Sequence, residues 1–330
     1  MKIAVLYQDH EPPAMNGLRK PMKPGGYRDS GADIVYSLRT HGVDTATPVP
    51  NPDLYTDLDW VFPDTVHGIR AALAAGADTL WLNTVLYAGH PIEQFTGVYV
   101  VGQRPVDVAR YDDKFAANAE LWKRGFPVIQ SQTIGADDMY TSAFPCILKP
   151  IRGRGSQGVV RCDTPTDFIK TRDSLLAAGI YGDMLMAEPY LPGQEITISV
   201  FPDGTSLPIA ERFAQKNGIA PYNGDVPVTQ NSRAVTEETA AQHAIRQACE
   251  QAVPALDLKG LVRIDCRAAA DGTYYMFDFN PKPNLTGAAR PHRMNQNCLT
   301  MISAAAQGWS YFDLLHKMLE SRWQLSLLYM

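Results

Sequence analysis

The chain has 330 residues with 30 Lys+Arg against 35 Asp+Glu, a formal charge of −5. At 45% apolar and 20% charged it has a globular composition, long enough for two or three structural units, which excludes disordered and fibrous classes. The acidic excess argues against nucleic-acid binding by bulk phosphate neutralisation, and no run of ~18 to 20 apolar residues is available to cross a bilayer.

Residues 2–7 read as a first β-strand, too short for a signal peptide. The segment 11–26 holds four prolines, three glycines and three basic residues in sixteen positions, the mark of a disordered stretch or a functional loop. A helix is predicted over 31–41, ended by Gly42, and a second after Pro63-Asp64-Thr65, with Asp64 or Thr65 as N-cap and Gly76 as stop. Strands at 77–82 and 98–101 complete a small parallel α/β unit over 1–110. A helix over 111–124 opens a second unit, 111–190, with strands at 147–149, 159–162 and 184–189 and a helix over 167–178. A third unit, 191–330, carries a strand at 194–201, a helix at 237–253, paired strands at 261–267 and 273–280, and closing helices at 299–307 and 311–322. Cys146, Cys162, Cys249, Cys266 and Cys298 are odd in number and show no CxxC spacing, so the expectation is buried thiols in a cytosolic protein.

Three segments carry chemistry. Asp271-Gly272 between alternating runs predicts a hairpin with a two-residue loop. That register sets Asp265 opposite Asp278 and Arg263 opposite Asn280, all on one face. Two opposed carboxylates repel, and a divalent cation held by both acids and the Asn280 amide oxygen would relieve that cost. Taken alone, the pattern fits a solvated face with incidental acids equally well. Second, Lys149-Pro150 leads into Gly153, Arg154, Gly155, Ser156 and Gly158, a glycine-rich strand-to-strand link able to approach an anion, or simply a flexible hairpin with a basic tip. Third, Glu188 precedes Tyr190-Leu191-Pro192-Gly193, where a turn is expected, and Glu195 then begins a strand of β-branched residues that gives a carboxylate no packing reason.

In this order the three segments resemble the ATP-grasp superfamily, and within it the D-alanine–D-alanine ligase group, over Arg110 to Arg322. Asp113-Lys114 and Lys149-Pro150 are similar to the family's two nucleotide lysines. Glu188 resembles its hinge acid beside the adenine, Leu191 the residue whose backbone meets that ring, and Glu195 in Gly193-Gln194-Glu195-Ile196-Thr197 the ribose acid. Arg263-Ile264-Asp265 and Asp278-Phe279-Asn280 resemble its paired metal strands. The resemblance implies an α/β N-terminal unit followed by an α+β ATP-grasp body whose two subdomains sandwich ATP.

It further implies ATP and Mg²⁺, with two ions and Mn²⁺ as a substitute, held on Asp265, Asp278 and Asn280. Lys114, Lys149, Arg154, Gly155, Ser156 and Gly158 would serve the phosphates, and Arg263 would stabilise the oxyanion. The implied reaction joins a small-molecule carboxylate to an amine through an acyl-phosphate, with no nucleic-acid or membrane partner and with homodimerisation left open. Other ATP-grasp reactions, such as cyclisation, are alternatives; so is a nucleotide-binding protein without turnover, although the metal set and Arg263 weigh against it. The chain departs from the family at Asp278, where Glu is usual, and at Pro283-Asn284, where Pro-Gly is usual. The segments that hold D-alanine are also missing after the first strand, so a different substrate pair is expected, with Arg290, Arg293 and His90 as candidate substrate contacts and Lys216 and Arg233 as further cations.

Overall fold

The structure is a computed structural model that describes residues 1–15, 18, 22–153, 155–221 and 228–326. The chain begins with β1 (Ile3–Tyr7), α1 (Arg28–Thr40), β2 (Phe62–Pro63), α2 (Val66–Ala74), β3 (Thr79–Asn83), β4 (Tyr99–Val101) and α3 (Pro105–Tyr111). It continues with α4 (Lys114–Lys123), β5 (Gln132–Ile134), β6 (Cys146–Pro150), β7 (Val160–Cys162), α5 (Pro165–Ala177) and β8 (Leu185–Pro189). The third stretch holds β9 (Glu195–Val200), β10 (Ala210–Arg212), α6 (Val228–Asn231), β11 (Ser232–Ala234), α7 (Ala240–Ala255), β12 (Val262–Ala268) and β13 (Tyr274–Asn280). The closing elements are α8 (Leu299–Ala306), α9 (Tyr311–Glu320) and β14 (Trp323–Gln324).

These strands form three sheets, ordered β14-β4-β3-β1-β2, β5-β8-β6-β7 and β11-β10-β9-β12-β13. The first is parallel apart from β14, which pairs antiparallel with β4. Helices cover both its faces, so β1 reads as a continuous apolar run, Ile3 to Leu6, with no exposure. The third sheet alternates instead. Ile196, Ile198 and Val200 of β9 enter a core with Ala117 and Leu121 of α4 and Ile245 and Val253 of α7, which leaves Glu195, Thr197 and Ser199 on the opposite face. No helix among the described residues is long and apolar enough to cross a membrane. All five cysteines are buried thiols, with Cys146 directly opposite Cys162 across β6 and β7.

Local chemistry sets the element ends. Thr65 caps α2 by accepting from Gly68 N–H, and Asp113 caps α4 by accepting from Ala116 N–H, so the helix expected over 111–124 starts at Lys114 as α4, while Tyr111 ends the preceding α3. Thr239 and Gln242 close a capping box on α7. The expected two-residue hairpin is corrected. Ala268 faces Tyr274, Ala269 N–H donates to Thr273 C=O at 2.8 Å, and Gly272 takes φ +86°, so the loop has one residue more. Phe277 then bulges between Met276 and Asp278, which restores Asp265 opposite Asp278 and Arg263 opposite Asn280.

Candidate active site

A cavity of about 810 Å³ lies between the second and third sheets, with the start of α1 closing one end. Lys114, Lys149, Gly155, Ser156, Glu188, Leu191, Glu195, Arg263, Asp265, Asp278 and Asn280 all line it. Gly158 does not. It takes φ +70° under Tyr181 and Pro150, where a Cβ would lie 2.8 Å from the Tyr181 ring, so it shapes the loop rather than the wall. Arg154 lies outside the described residues, as does part of the 11–26 segment; Met22, Lys23 and Pro24 from that segment do reach the cavity.

The charges are arranged in pairs. Lys114, at the first turn of α4, donates to Asp278 at 2.7 Å, and its own backbone N–H donates to the Ile151 carbonyl at the root of the glycine-rich loop. Burial pushes Asp278 up, but Lys114 and Lys149 outweigh it and hold this carboxyl below its ordinary value. Lys114 is correspondingly raised: burial opposes its charge, and Asp278 prevails. Arg263 grips Asp265 with two hydrogen bonds of 3.0 and 3.1 Å, and Thr197 donates to the same carboxylate at 2.6 Å. Lys149 donates to Glu188 at 2.7 Å and to the Phe277 carbonyl, freed by the bulge, at 3.2 Å. Glu188 is 3% exposed, its Oε2 has no hydrogen-bond partner, and burial raises its pKa against Lys149. Glu195 stands between Arg212 of β10 and Arg267 of β12, its direct cross-strand neighbours, yet burial still lifts it above the ordinary range.

The acids Asp265 and Asp278, with Asn280 beside them, are an all-oxygen set that fits a hard divalent cation shared with phosphates. No cluster of three His, Cys, Asp or Glu residues suited to a metal forms among the described residues.

The three candidate substrate contacts lie elsewhere. His90 is 1% exposed, interacts with Asp64 at 3.2 Å and caps a short 3-10 turn through Ile92 N–H. Arg290 is fully buried, with Asp33 and Asp57 each at 2.8 Å and the Leu54 and Asp29 carbonyls completing its donors. Arg293 binds Asp33 and Asp29. The donors of both arginines are committed to the α1 side, and none of the three residues lines the cavity. Lys216 and Arg233 are exposed, and Arg233 pairs with Glu211.

Several lining residues escaped the sequence reading. Asp29, on the first turn of α1, has a buried Oδ1 without a hydrogen-bond partner. Arg267 lies two residues past Asp265 on the same face, so period-2 alternation could have found it. Arg212 sits on a three-residue strand too short to show a pattern.

The family model for the D-ala D-ala ligase C-terminus matches residues 122–320. A D-alanine–D-alanine ligase of Anaeromyxobacter dehalogenans is 28% identical over 200 residues, 60% of each chain, so this match spans well under the whole relative. One from Psychrobacter is 25% identical over 300 residues, covering 87% of this chain and 81% of the relative. Among solved structures, the D-alanine–D-alanine ligase of Bacillus anthracis complexed with ATP superposes at TM-score 0.67 and 18% identity, covering 97% of this chain and 96% of the other. The VanG D-Ala:D-Ser ligase of Enterococcus faecalis superposes at 0.62 and 14% identity, covering 97% and 98%. These likenesses give the architecture as ATP-grasp. The match over residues 122–320, which takes in β5 through α9, places the chain in the D-ala D-ala ligase C-terminus family.

Proposed function

We propose that the chain is an ATP-dependent ligase that activates a small carboxylate as an acyl-phosphate and joins it to an amine, releasing ADP and phosphate. The observation that carries this reading is the convergence of Lys114, Lys149, Arg263, Asp265, Asp278 and Asn280 on one cavity whose volume of about 810 Å³ is in the range of ligand sites. The adenine would lie along Leu191 and Ile147, with the unpartnered Glu188 Oε2 accepting from its exocyclic amine. Glu195 would accept from the ribose hydroxyls. Lys114, Lys149 and the backbone at Gly155 and Ser156 would neutralise and cradle the phosphates. Asp265, Asp278 and Asn280 would hold Mg²⁺, which when bound supplies neutralisation of the phosphate oxygens.

At the far end, the substrate carboxylate would face Arg263, whose buried guanidinium stabilises negative charge on the carbonyl oxygen as the amine adds. The Asp29 Oδ1, which has no hydrogen bond and faces Lys23 at 3.7 Å, would accept from a substrate ammonium, which supports an amino acid as the acid activated here. The N-terminal segment, without the pattern expected of a D-alanine site, supports a different substrate pair. The five buried thiols support a cytosolic setting.

The test is ADP release against a panel of amino acids and amines, singly and in pairs. A ligase yields ADP and phosphate when both substrates are present, and Asp265→Ala lowers turnover at least roughly 100-fold. Failure to bind any adenine nucleotide, or full activity of Asp265→Ala at saturating Mg²⁺, would overturn the reading.

A further inference from the structure

Arg267 makes more contacts than a partner for Glu195 requires. It is 8% exposed, and its guanidinium reaches three separate segments. Its Nε donates to the Gly193 carbonyl at 3.3 Å, where the chain passes from β8 into β9. Its Nη1 donates to the Gly218 carbonyl at 2.5 Å and lies 3.6 Å from Glu195 Oε2. Its Nη2 donates to Gln215 Oε1 at 2.7 Å and to the Tyr190 hydroxyl at 3.4 Å. Gln215 in turn donates through Nε2 to Glu195 Oε2 at 2.9 Å, so carboxylate, amide and guanidinium close a ring of interactions.

Two of these partners, Gln215 and Gly218, belong to the segment after β10, whose Ile219 and Ala220 form part of the cavity wall. A third, Tyr190, is flanked from the other side by Arg161 of β7, with guanidinium-to-centroid distances of 4.3 Å for Arg161 and 5.1 Å for Arg267. Gly218 is pressed against the Tyr190 hydroxyl closely enough that a Cβ could not be accommodated. One side chain on the third sheet thus ties the wall segment 213–221, the link between two sheets and the second sheet to Glu195.

We infer that Arg267 is a positioning residue that couples occupancy of Glu195 by a nucleotide ribose to the order of the wall segment 213–221. The inference rests on the reading of Glu195 as the ribose acid. Ribose hydroxyls donating to Glu195 enter the same ring of hydrogen bonds that fixes Gln215 and Gly218. Bound nucleotide therefore stabilises the segment, and by reciprocity an ordered segment strengthens nucleotide binding. An arginine is required because only a planar fork reaches Gly193, Gly218, Gln215 and Tyr190 together, which an ammonium cannot do.

The experiment uses the full chain and compares Arg267→Met, Arg267→Lys and Gln215→Leu with the unaltered protein. Three readouts are taken: ADP affinity by calorimetry, the KM for ATP against kcat, and hydrogen exchange in 213–221 with and without ADP. The unaltered protein binds ADP and slows exchange in 213–221. Arg267→Met raises the ADP Kd and the KM for ATP roughly ten-fold, changes kcat less than about two-fold, and loses the nucleotide-dependent protection. Arg267→Lys recovers only part of either effect. Gln215→Leu, which leaves β12 intact, reproduces the lost protection even where Arg267→Met folds poorly. A variant set that lowers Tm yet keeps the KM and the protection gives Arg267 a purely structural role and overturns the inference. Absence of ADP binding by the unaltered protein would instead remove the ligase reading.

Discussion

Lys114 and Asp278 form a hydrogen-bonded pair inside the cavity, and Lys149 and Glu188 form another, yet the two acids titrate in opposite directions. Burial acts upward on both. At Asp278 it is outweighed by three cations, Lys114, Lys149 and Arg263, whereas Glu188 is compensated chiefly by Lys149 and is pushed further up by Asp278. The linkage signs follow. Asp278 has a folded-state pKa below its unfolded value, so its stabilisation is present above the ordinary carboxylate range and disappears as pH falls through the depressed value. Glu188 has a raised pKa; its contribution is complete below the ordinary range and is lost as pH rises through the raised value. Asp278→Asn should therefore cost about 1–3 kcal/mol at pH 7, because the partly buried Lys114 exchanges a charge-assisted hydrogen bond for one to a neutral amide. Thermal melts of both proteins from pH 7 down to 3 should show the difference narrowing with acid. A difference that grows on acidification would contradict the assigned sign.

The elements show how closeness, rather than turn chemistry, fixes some positions. Gly193 was expected in a turn, but it forms only a bend; its N–H donates to the Ala268 carbonyl at 2.9 Å, and a Cβ there would lie 2.6 Å from the Ala268 side chain and 2.7 Å from that carbonyl oxygen. Gly193→Ala must therefore push β9 off the end of β12, at a cost of about 1–3 kcal/mol in overpacking, which denaturant melts would measure as a lower midpoint. A neutral substitution would mean that this strand end is free to shift. The same region shows what was legible in the sequence. The alternation in β12 and β13 announced one polar face, and the face is there, but the facing of Asp265 and Asp278 came out of two local departures that compensate: a longer loop at 270–272 and a bulge at Phe277. A loop length is set by backbone dihedrals that the dipeptide Asp271-Gly272 does not fix alone. The bulge shows only as a change of parity, Tyr274 and Met276 entering the core with Phe279, and one such slip in a short run is hard to tell from a tolerated exception. Strands β5, β10, β11 and β14 have two or three residues each, too few for a period to be read. With β10 unread, Arg212 could not be placed beside Glu195, while Glu195 itself stood out as a charge among β-branched neighbours.

Across the whole molecule, the chain order of units conceals how they are joined. The closing helices α8 and α9 share a core with α1, β1 and β3, through Met301, Leu314, Leu315, Ile34 and Trp81, and β14 completes the first sheet. One joint is polar. Arg290 follows β13 and reaches across to Asp33 of α1 and to Asp57, which take its charge, while the Leu54 and Asp29 carbonyls take its remaining donors. Sequence proximity to Asn280 had suggested a substrate contact, but a buried arginine of this kind holds α1 against the chain that follows β13. Arg290→Ala leaves Asp33, which is fully buried, with Arg293 as its remaining cation, and a broken buried pair costs about 3–5 kcal/mol. Asp33 already has a raised pKa from burial despite both arginines. Removing one raises it further, so the protonated form becomes the cheaper state to bury. The stability lost at pH 7 should therefore be partly recovered as pH falls toward the carboxylate range; the gap narrows with acid as for Asp278→Asn, but here because the variant is relieved rather than because the unaltered protein loses a pair. Because Asp29 lies one turn before Asp33 and lines the cavity, loosening α1 should also raise the KM for the carboxylate substrate of the proposed ligation while the KM for ATP, assigned there to the second and third sheets, stays within about two-fold. Melting curves across pH and two-substrate kinetics on the same variant check both consequences. Equal rises in the two KM values would mean that Arg290 supports the entire cavity rather than its α1 end.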